Sequence, residues 1–178
     1  CLTAQLAELR PDNITMTYSP LPDDLAQPKP ATEHTQQAQE QVQQSLNFAD
    51  RQSFEDAKRG FIASIDPITI TRPNGHITFD LEQLEFLQNE APATVNPSLW
   101  RQAQLNAQHH GLFEICEGLY QVRSFDIANM TLIRGNTGWI VVDPLTSSES
   151  SAAALALANE RLGQRPVVAV LITHSHAD

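Results

Sequence analysis

The stretch His174-Ser175-His176-Ala177-Asp178 sets two imidazoles and a carboxylate at alternate positions, directly after the apolar run Val167-Val168-Ala169-Val170-Leu171-Ile172-Thr173. In extended backbone, residues two apart point to the same side. His174 and His176 would therefore leave the end of a strand with their rings facing one way. Two neutral imidazoles can bind one Zn2+ at about 2.0–2.1 Å, and a catalytic site keeps a further position open for water. Asp178 could serve a second metal about 3.5–4 Å away once the chain turns. A His-x-His pair alone is weak, and ordinary surface histidines are the plain alternative. The preceding apolar segment strengthens the metal reading, because ligands at the carboxyl end of a strand face the crevice where α/β folds bind their ligands, and the strand fixes their origin.

The elements that must position these groups can be read upstream. "RPVVAVLIT", ending at Thr173, reads as a buried strand. "SSESSAAALALANERLG" reads as a helix entered by Ser147 or Ser148 and closed at Gly163. "WIVVD" (Trp139 to Asp143) is a strongly apolar strand. Strand, helix and strand in that order predict a parallel crossover in a layered α/β domain. Asp143 closes the first strand and is expected on the same rim as the histidines. "LYQVR" and "MTLIRG" are two further strands, with "NTG" as a turn.

Before Gly111 the texture differs. Residues 1–31 carry repeated Pro and Asp turn signals and read as an extended arm or linker. Residues 32–110 read as a helical and hairpin extension that packs on a domain beginning at 111. Within it, Thr32 starts a Gln-rich helix, and Asp50 or Ser53 caps a short helix that Gly60 ends. "ITITRPNGHITFD" is a hairpin about Pro73-Asn74-Gly75. "DLEQLEFLQNE" is a helix with Leu81, Leu84 and Leu87 on one side. A second helix runs from Pro97-Ser98 towards Gly111. Trp100, Phe86 and Leu105 are expected to pack, His34 and His76 to lie on the surface, and His109 and His110 to point apart near a helix end. Cys116 is expected as an inert, buried thiol.

Composition bounds the function. The 178 residues carry a formal net charge of -10 and a pI near 4.9, with mean hydropathy -0.29. That balance argues against nucleic acid as a partner, because backbone binding needs a basic face. No run approaches the roughly 18 apolar residues of a membrane-spanning helix. The chain begins at Cys1 and not Met. A cleaved leader leaving a lipid-anchored cysteine is one expectation, and an arbitrary start is the other.

"TGWIVVDPLTSSES" and "RPVVAVLITHSHAD" together resemble the opening half of the metallo-β-lactamase fold, whose signature is H-x-H-x-D-H. His174, His176 and Asp178 match its first three ligand positions, and the closing histidine would fall at position 179. "DRQSFEDAKRGFIAS", "NEAPATVNPSLWRQAQLN" and "HGLFEICEGLYQVRSFDIANMTLI" are similar to the N-terminal region of linear primary alkyl sulfatases, a likeness running from about Asp50 to Asp178. The resemblance implies the α/β (α+β) class: the first half of an αββα sandwich behind a helical and hairpin extension. It implies two Zn2+ ions per site and hydrolysis of a primary alkyl sulfate such as dodecyl sulfate to an alcohol and inorganic sulfate. His174 and His176 would hold one zinc and Asp178 the other, with the remaining ligands and sulfate-binding groups beyond residue 178. The 178 residues alone are expected to be inactive.

By the same resemblance, Asp143 supports the metal-binding loop through hydrogen bonds. Asn129 and Met130 line the pocket, with strand packing as the alternative. A homodimer would form through a downstream domain, and the location would be periplasmic or secreted. Charge on the chain should repel an anionic substrate at long range, yet screening over about 8 Å confines that effect while divalent ions act at contact. Two other readings stand beside this one: a different hydrolase of the same fold acting on esters, thioesters or lactams, and a non-catalytic binding domain.

Overall fold

The computed structural model describes residues 29–175. Cys1 and all of the expected arm before Lys29 lie outside that range, as do His176 and Asp178. Helix α1 (Glu33–Ser45) begins where the Thr32 side chain accepts the Thr35 N–H at 3.2 Å. Asp50 Oδ1 accepts the Gln52 N–H at 2.8 Å and starts α2 (Gln52–Ala57). Gly60 then turns the chain at φ 73° into β1 (Phe61–Ala63). A Cβ at Gly60 would collide with the Glu114 carbonyl, so only glycine allows this close approach.

Strands β2 (Thr69–Thr71) and β3 (Ile77–Asp80) pair antiparallel about Pro73-Asn74-Gly75, with Gly75 at φ 83°. The expected helix forms over Leu81–Gln88 and is of the 3-10 type. Leu81, Leu84 and Leu87 recur every three residues, which is the repeat of a 3.0-residue turn and stacks them along one side. Helix α3 (Pro97–Gln108) follows, capped by the Asn96 side chain, which accepts the Ser98 N–H at 2.9 Å. Phe86 and Trp100 do pack together, with ring centroids 5.8 Å apart, although Phe86 stays half exposed.

The remaining strands are β4 (Gly111–Cys116), β5 (Leu119–Arg123), β6 (Asn129–Arg134), β7 (Trp139–Val142) and β8 (Val167–Leu171). They form one sheet in the order β1-β4-β5-β6-β7-β8. Neighbours are antiparallel as far as β7, while β7 and β8 are parallel and joined by helix α4 (Ser148–Leu162), as the crossover pattern predicts. Ser147 caps α4 by accepting the Ser150 N–H at 3.1 Å, and Gly163 ends it.

The core lies on the α4 side of the sheet. Tyr120 and Val122, Met130 and Leu132, and Trp139 and Val141 alternate inward from β5, β6 and β7. Ser150, Ala154, Leu157 and Ala158 are the buried face of α4, and Ile68 and Ile70 join the same cluster from the hairpin. Trp139 is fully buried, and its ring N–H donates to Asn159 Oδ1 at 2.9 Å, tying β7 to α4.

Two burial expectations are corrected. Strand β8 is exposed on both faces, with Val168, Val170 and Leu171 each at 51% exposure. Among the described residues it is the last strand in the sheet order, paired with β7. Cys116 is exposed too, because it ends β4 beyond the covered half of that strand, where Leu112 and Phe113 are buried.

Register aligns several element ends along one rim. Gly111 opposes Arg123, Arg123 opposes Asn129, Thr131 opposes Val142, and Val142 opposes Leu171. Loops on this rim are clasped by Asp126. Its Oδ1 accepts the Ala128 N–H at 2.7 Å, and its Oδ2 accepts the Thr146 N–H at 2.8 Å and the Thr146 hydroxyl at 2.9 Å. Further along, the Ser64 hydroxyl and His110 Nδ1 lie 2.8 Å apart and join the end of β1 to the start of β4.

Removing the clasp with Asp126→Ala leaves those donors without an acceptor. The substitution should lower the unfolding free energy of the intact protein by roughly 2–4 kcal/mol, measured by urea denaturation. Partial burial holds the His110 imidazole below its ordinary pKa, against the opposing pull of Asp66. With the folded pKa the lower of the two, the unfolded chain binds the proton better. This contribution to stability is therefore intact above a pH of about 6.5 and is lost as the pH falls from there towards the folded value. His110→Asn, which keeps a polar atom near the Nδ1 position, should flatten that acid limb when unfolding is followed between pH of about 5 and 7.

Candidate metal centre

Strand β7 delivers Asp143 to the rim, and β8 delivers Thr173 and His174 beside it. Parallel pairing of Val142 with Leu171 makes the two strand ends adjacent, and the Asp143 N–H continues the ladder by donating to the Leu171 carbonyl at 3.0 Å. Asp143 then leaves extended geometry at φ 50°. That departure swings its carboxylate across to the next strand. Asp143 Oδ1 accepts the Thr173 N–H at 2.9 Å, and Oδ2 accepts the Thr173 hydroxyl at 2.6 Å. The Thr173 oxygen lies 2.9 Å from His174 Nδ1.

The loop that carries Asp143 is anchored on its far side. Leu145, also at positive φ (71°), is buried at 2% exposure in the core. Thr146 is held by Asp126, and the Ser151 hydroxyl donates to the Pro144 carbonyl. Two non-glycine residues at positive φ persist only where surrounding contacts determine them, and these contacts supply that. Electrostatics follow the hydrogen bonds. The Thr173 hydroxyl, then the Thr173 N–H, and lastly the nearby His174 hold the Asp143 carboxyl below the usual carboxylate range.

Of the residues expected to bind metal, His174 is described and lies exposed at the rim. His176 and Asp178 lie outside the described residues. Among the described residues no group of three or more His, Cys, Asp or Glu side chains is placed to hold an ion. The donor set nonetheless suits one. A ligating histidine usually has its second ring nitrogen held by a hydrogen-bonding partner that is itself held, and Thr173 with Asp143 provides that arrangement for His174.

Asn129 and Met130 part company. Asn129 is exposed at the start of β6 and borders a hollow of about 590 Å3 with Leu81, Leu84, Leu105 and Arg123. Met130 is buried at 2% exposure in the core, since alternation along β6 turns it to the opposite face. Sequence reasoning missed the roles of Asp126 and Thr173. For Thr173 a signal existed, because a hydroxyl immediately before the first histidine stands level with the acidic end of the neighbouring strand once the two strands pair in parallel.

Comparison with known proteins places this geometry. Residues 123–178 match the model of the metallo-beta-lactamase superfamily. The chain is 48% identical over 145 residues to an alkyl/aryl-sulfatase of Saccharomyces cerevisiae, covering 81% of this chain. It is 43% identical over 152 residues to a linear primary-alkylsulfatase of Pseudomonas sp., covering 84% of this chain. It spans 22% of the length of each. The solved structure of the stereoselective inverting sec-alkylsulfatase Pisa1 from Pseudomonas sp. superposes with a TM-score of 0.74 at 46% identity, covering 84% of this chain and 24% of that one. From Arg123 onward the chain is thus similar to the metallo-β-lactamase superfamily, and across most of its length it is similar to alkylsulfatases.

Proposed function

We propose that the intact protein is a zinc-dependent hydrolase of linear primary alkyl sulfates, releasing an alcohol and inorganic sulfate. The observation that carries the reading is identity of 43–48% to alkylsulfatases over more than four fifths of the chain. The strand-end arrangement at Asp143, Thr173 and His174 agrees with it. His174 and His176 would hold one zinc and Asp178 a second. Ions bound there would bring the pKa of bound water towards about 7 and offset charge on the departing sulfate.

This chain's own contribution is positional. The β7–β8 pairing sets the origin of the histidine pair, and the Asp143 carboxylate fixes the residue before it. The Asp126 clasp holds the neighbouring loops of the rim in place. Hydrolysis of secondary alkyl sulfates is a second reading, favoured by the 46% identity to the sec-alkylsulfatase.

Steady-state kinetics on the intact protein test both. Dodecyl sulfate should be hydrolysed with a higher kcat/KM than a secondary ester such as 2-octyl sulfate. Activity should vanish after chelation and return with zinc. His176→Ala or Asp178→Ala should lower kcat/KM by at least about 100-fold, the loss of about 2.7 kcal/mol of transition-state stabilisation. A preference for the secondary ester would move the assignment to the second reading. Failure to hydrolyse either ester with zinc present would remove both.

A further inference from the structure

The hollow that Asn129 borders has a mostly apolar lining and carries one arginine, Arg123. Its volume of about 590 Å3 is that of a small-molecule site. Leu81 and Leu84 of the 3-10 segment and Leu105 of α3 contribute apolar wall. Ile127 lines it from the β5–β6 loop and is 92% exposed. That exposure belongs to a held loop: Phe125 is fully buried beside it, and Asp126 is fixed by its clasp.

Arg123 is partly buried and well fixed. Its Nε donates to Gln121 Oε1 at 2.6 Å, and its Nη1 donates to the Ala57 carbonyl at 3.1 Å. The guanidinium carbon lies 4.3 Å from the centre of the Phe113 ring. Among the described residues Nη2 has no acceptor and no carboxylate pairs with the group, although acidic residues outnumber Lys and Arg by 21 to 11. Asp126 lines the same hollow, but three donors already occupy its oxygens. Burial pushes the Arg123 pKa down, the mark of a charge partly stripped of water. An anion supplies what such a group lacks, through a charge-assisted hydrogen bond.

We propose that this hollow binds an alkyl chain carrying a single anionic head, with the chain against Leu81, Leu84, Leu105 and Ile127 and the head on Arg123. The fit is of two kinds at once. Apolar surface left open to water gains by burial under a chain, and a fixed, partly desolvated guanidinium selects a negative head over a neutral or positive one. The inference goes beyond the proposed hydrolysis and needs no metal.

Calorimetric titration of the chelator-treated, intact protein tests it, with decanesulfonate and decanoate as probes that are not hydrolysed. Both should bind, and the tighter of the two names the head that Arg123 selects. Butanesulfonate, which keeps the head and shortens the chain, and decyltrimethylammonium, which reverses the charge, should each bind at least about 10-fold more weakly. Arg123→Gln should weaken decanesulfonate by about 10-fold and bring it level with the cation, and Arg123→Lys should recover part of the loss. Ile127→Ser, at an exposed position where folding is undisturbed, should weaken decanesulfonate by about 5-fold and leave butanesulfonate unchanged. Absence of binding, equal affinity for the anionic and cationic chains, or affinities unmoved by Arg123→Gln and Ile127→Ser would each overturn the proposal. Turnover plays no part in these titrations, so their failure is separate from failure of the hydrolase reading.

Discussion

A single carboxylate joins the two strand ends on which the candidate metal centre is built. Asp143 reaches from the end of β7 to Thr173, two residues past β8, and engages both its N–H and its hydroxyl, at 2.9 and 2.6 Å. Among the described residues, β8 is the last strand in the sheet order and pairs with β7. An edge strand is free to splay or fray at its end unless something pins it. Here the pin stands one residue before the first histidine.

The rest of the described structure stiffens that pin. Trp139 anchors the start of β7 to α4 through Asn159 and packs edge-on against Tyr120, with centroids 5.9 Å apart. Leu145 fills the core immediately after Asp143 and holds the turn that aims the carboxylate. Asp126 ties the β5–β6 loop to the loop before α4. The small face of α4, Ala154 and Ala158 with Leu157, lets the crossover helix sit close on the sheet and returns the chain parallel to β7. A helix packed this way turns a sequence of local preferences into two strand ends side by side, which is the placement that α/β folds use for ligands.

Much of this was legible in the sequence where the signal is local. Thr32 and Ser147 cap helices as their side chains predict, the helix expected from Pro97-Ser98 begins at Pro97, and the Pro73-Asn74-Gly75 turn and the parallel crossover both form. What the sequence concealed depends on layering. The apolar run at Val167–Leu171 reads as buried on both faces, since that is the composition of interior parallel strands. Among the described residues it is exposed and stands last in the sheet order. Leu81, Leu84 and Leu87 marked a helix, and its 3-10 type became visible only in the structure. Strand β1 has three residues, too few for a period to show. The clasp at Asp126 joins positions 20 residues apart, so only the fold reveals it. His174 was legible by type and spacing, and its partner Thr173 became so only once strand pairing set it beside Asp143.

Similarity to alkylsulfatases and the pinned strand end are the two observations behind the proposed zinc site. Diffraction from crystals of the intact, zinc-loaded protein, recorded at the zinc absorption edge, tests that convergence most directly. The account predicts an anomalous peak at about 2.0–2.1 Å from a ring nitrogen of His174, within reach of His176 and with Asp178 on a second peak close by, while Asp143 still holds Thr173. Zinc bound elsewhere, or a His174 ring turned away from the metal with the Asp143–Thr173 pair broken, would contradict it.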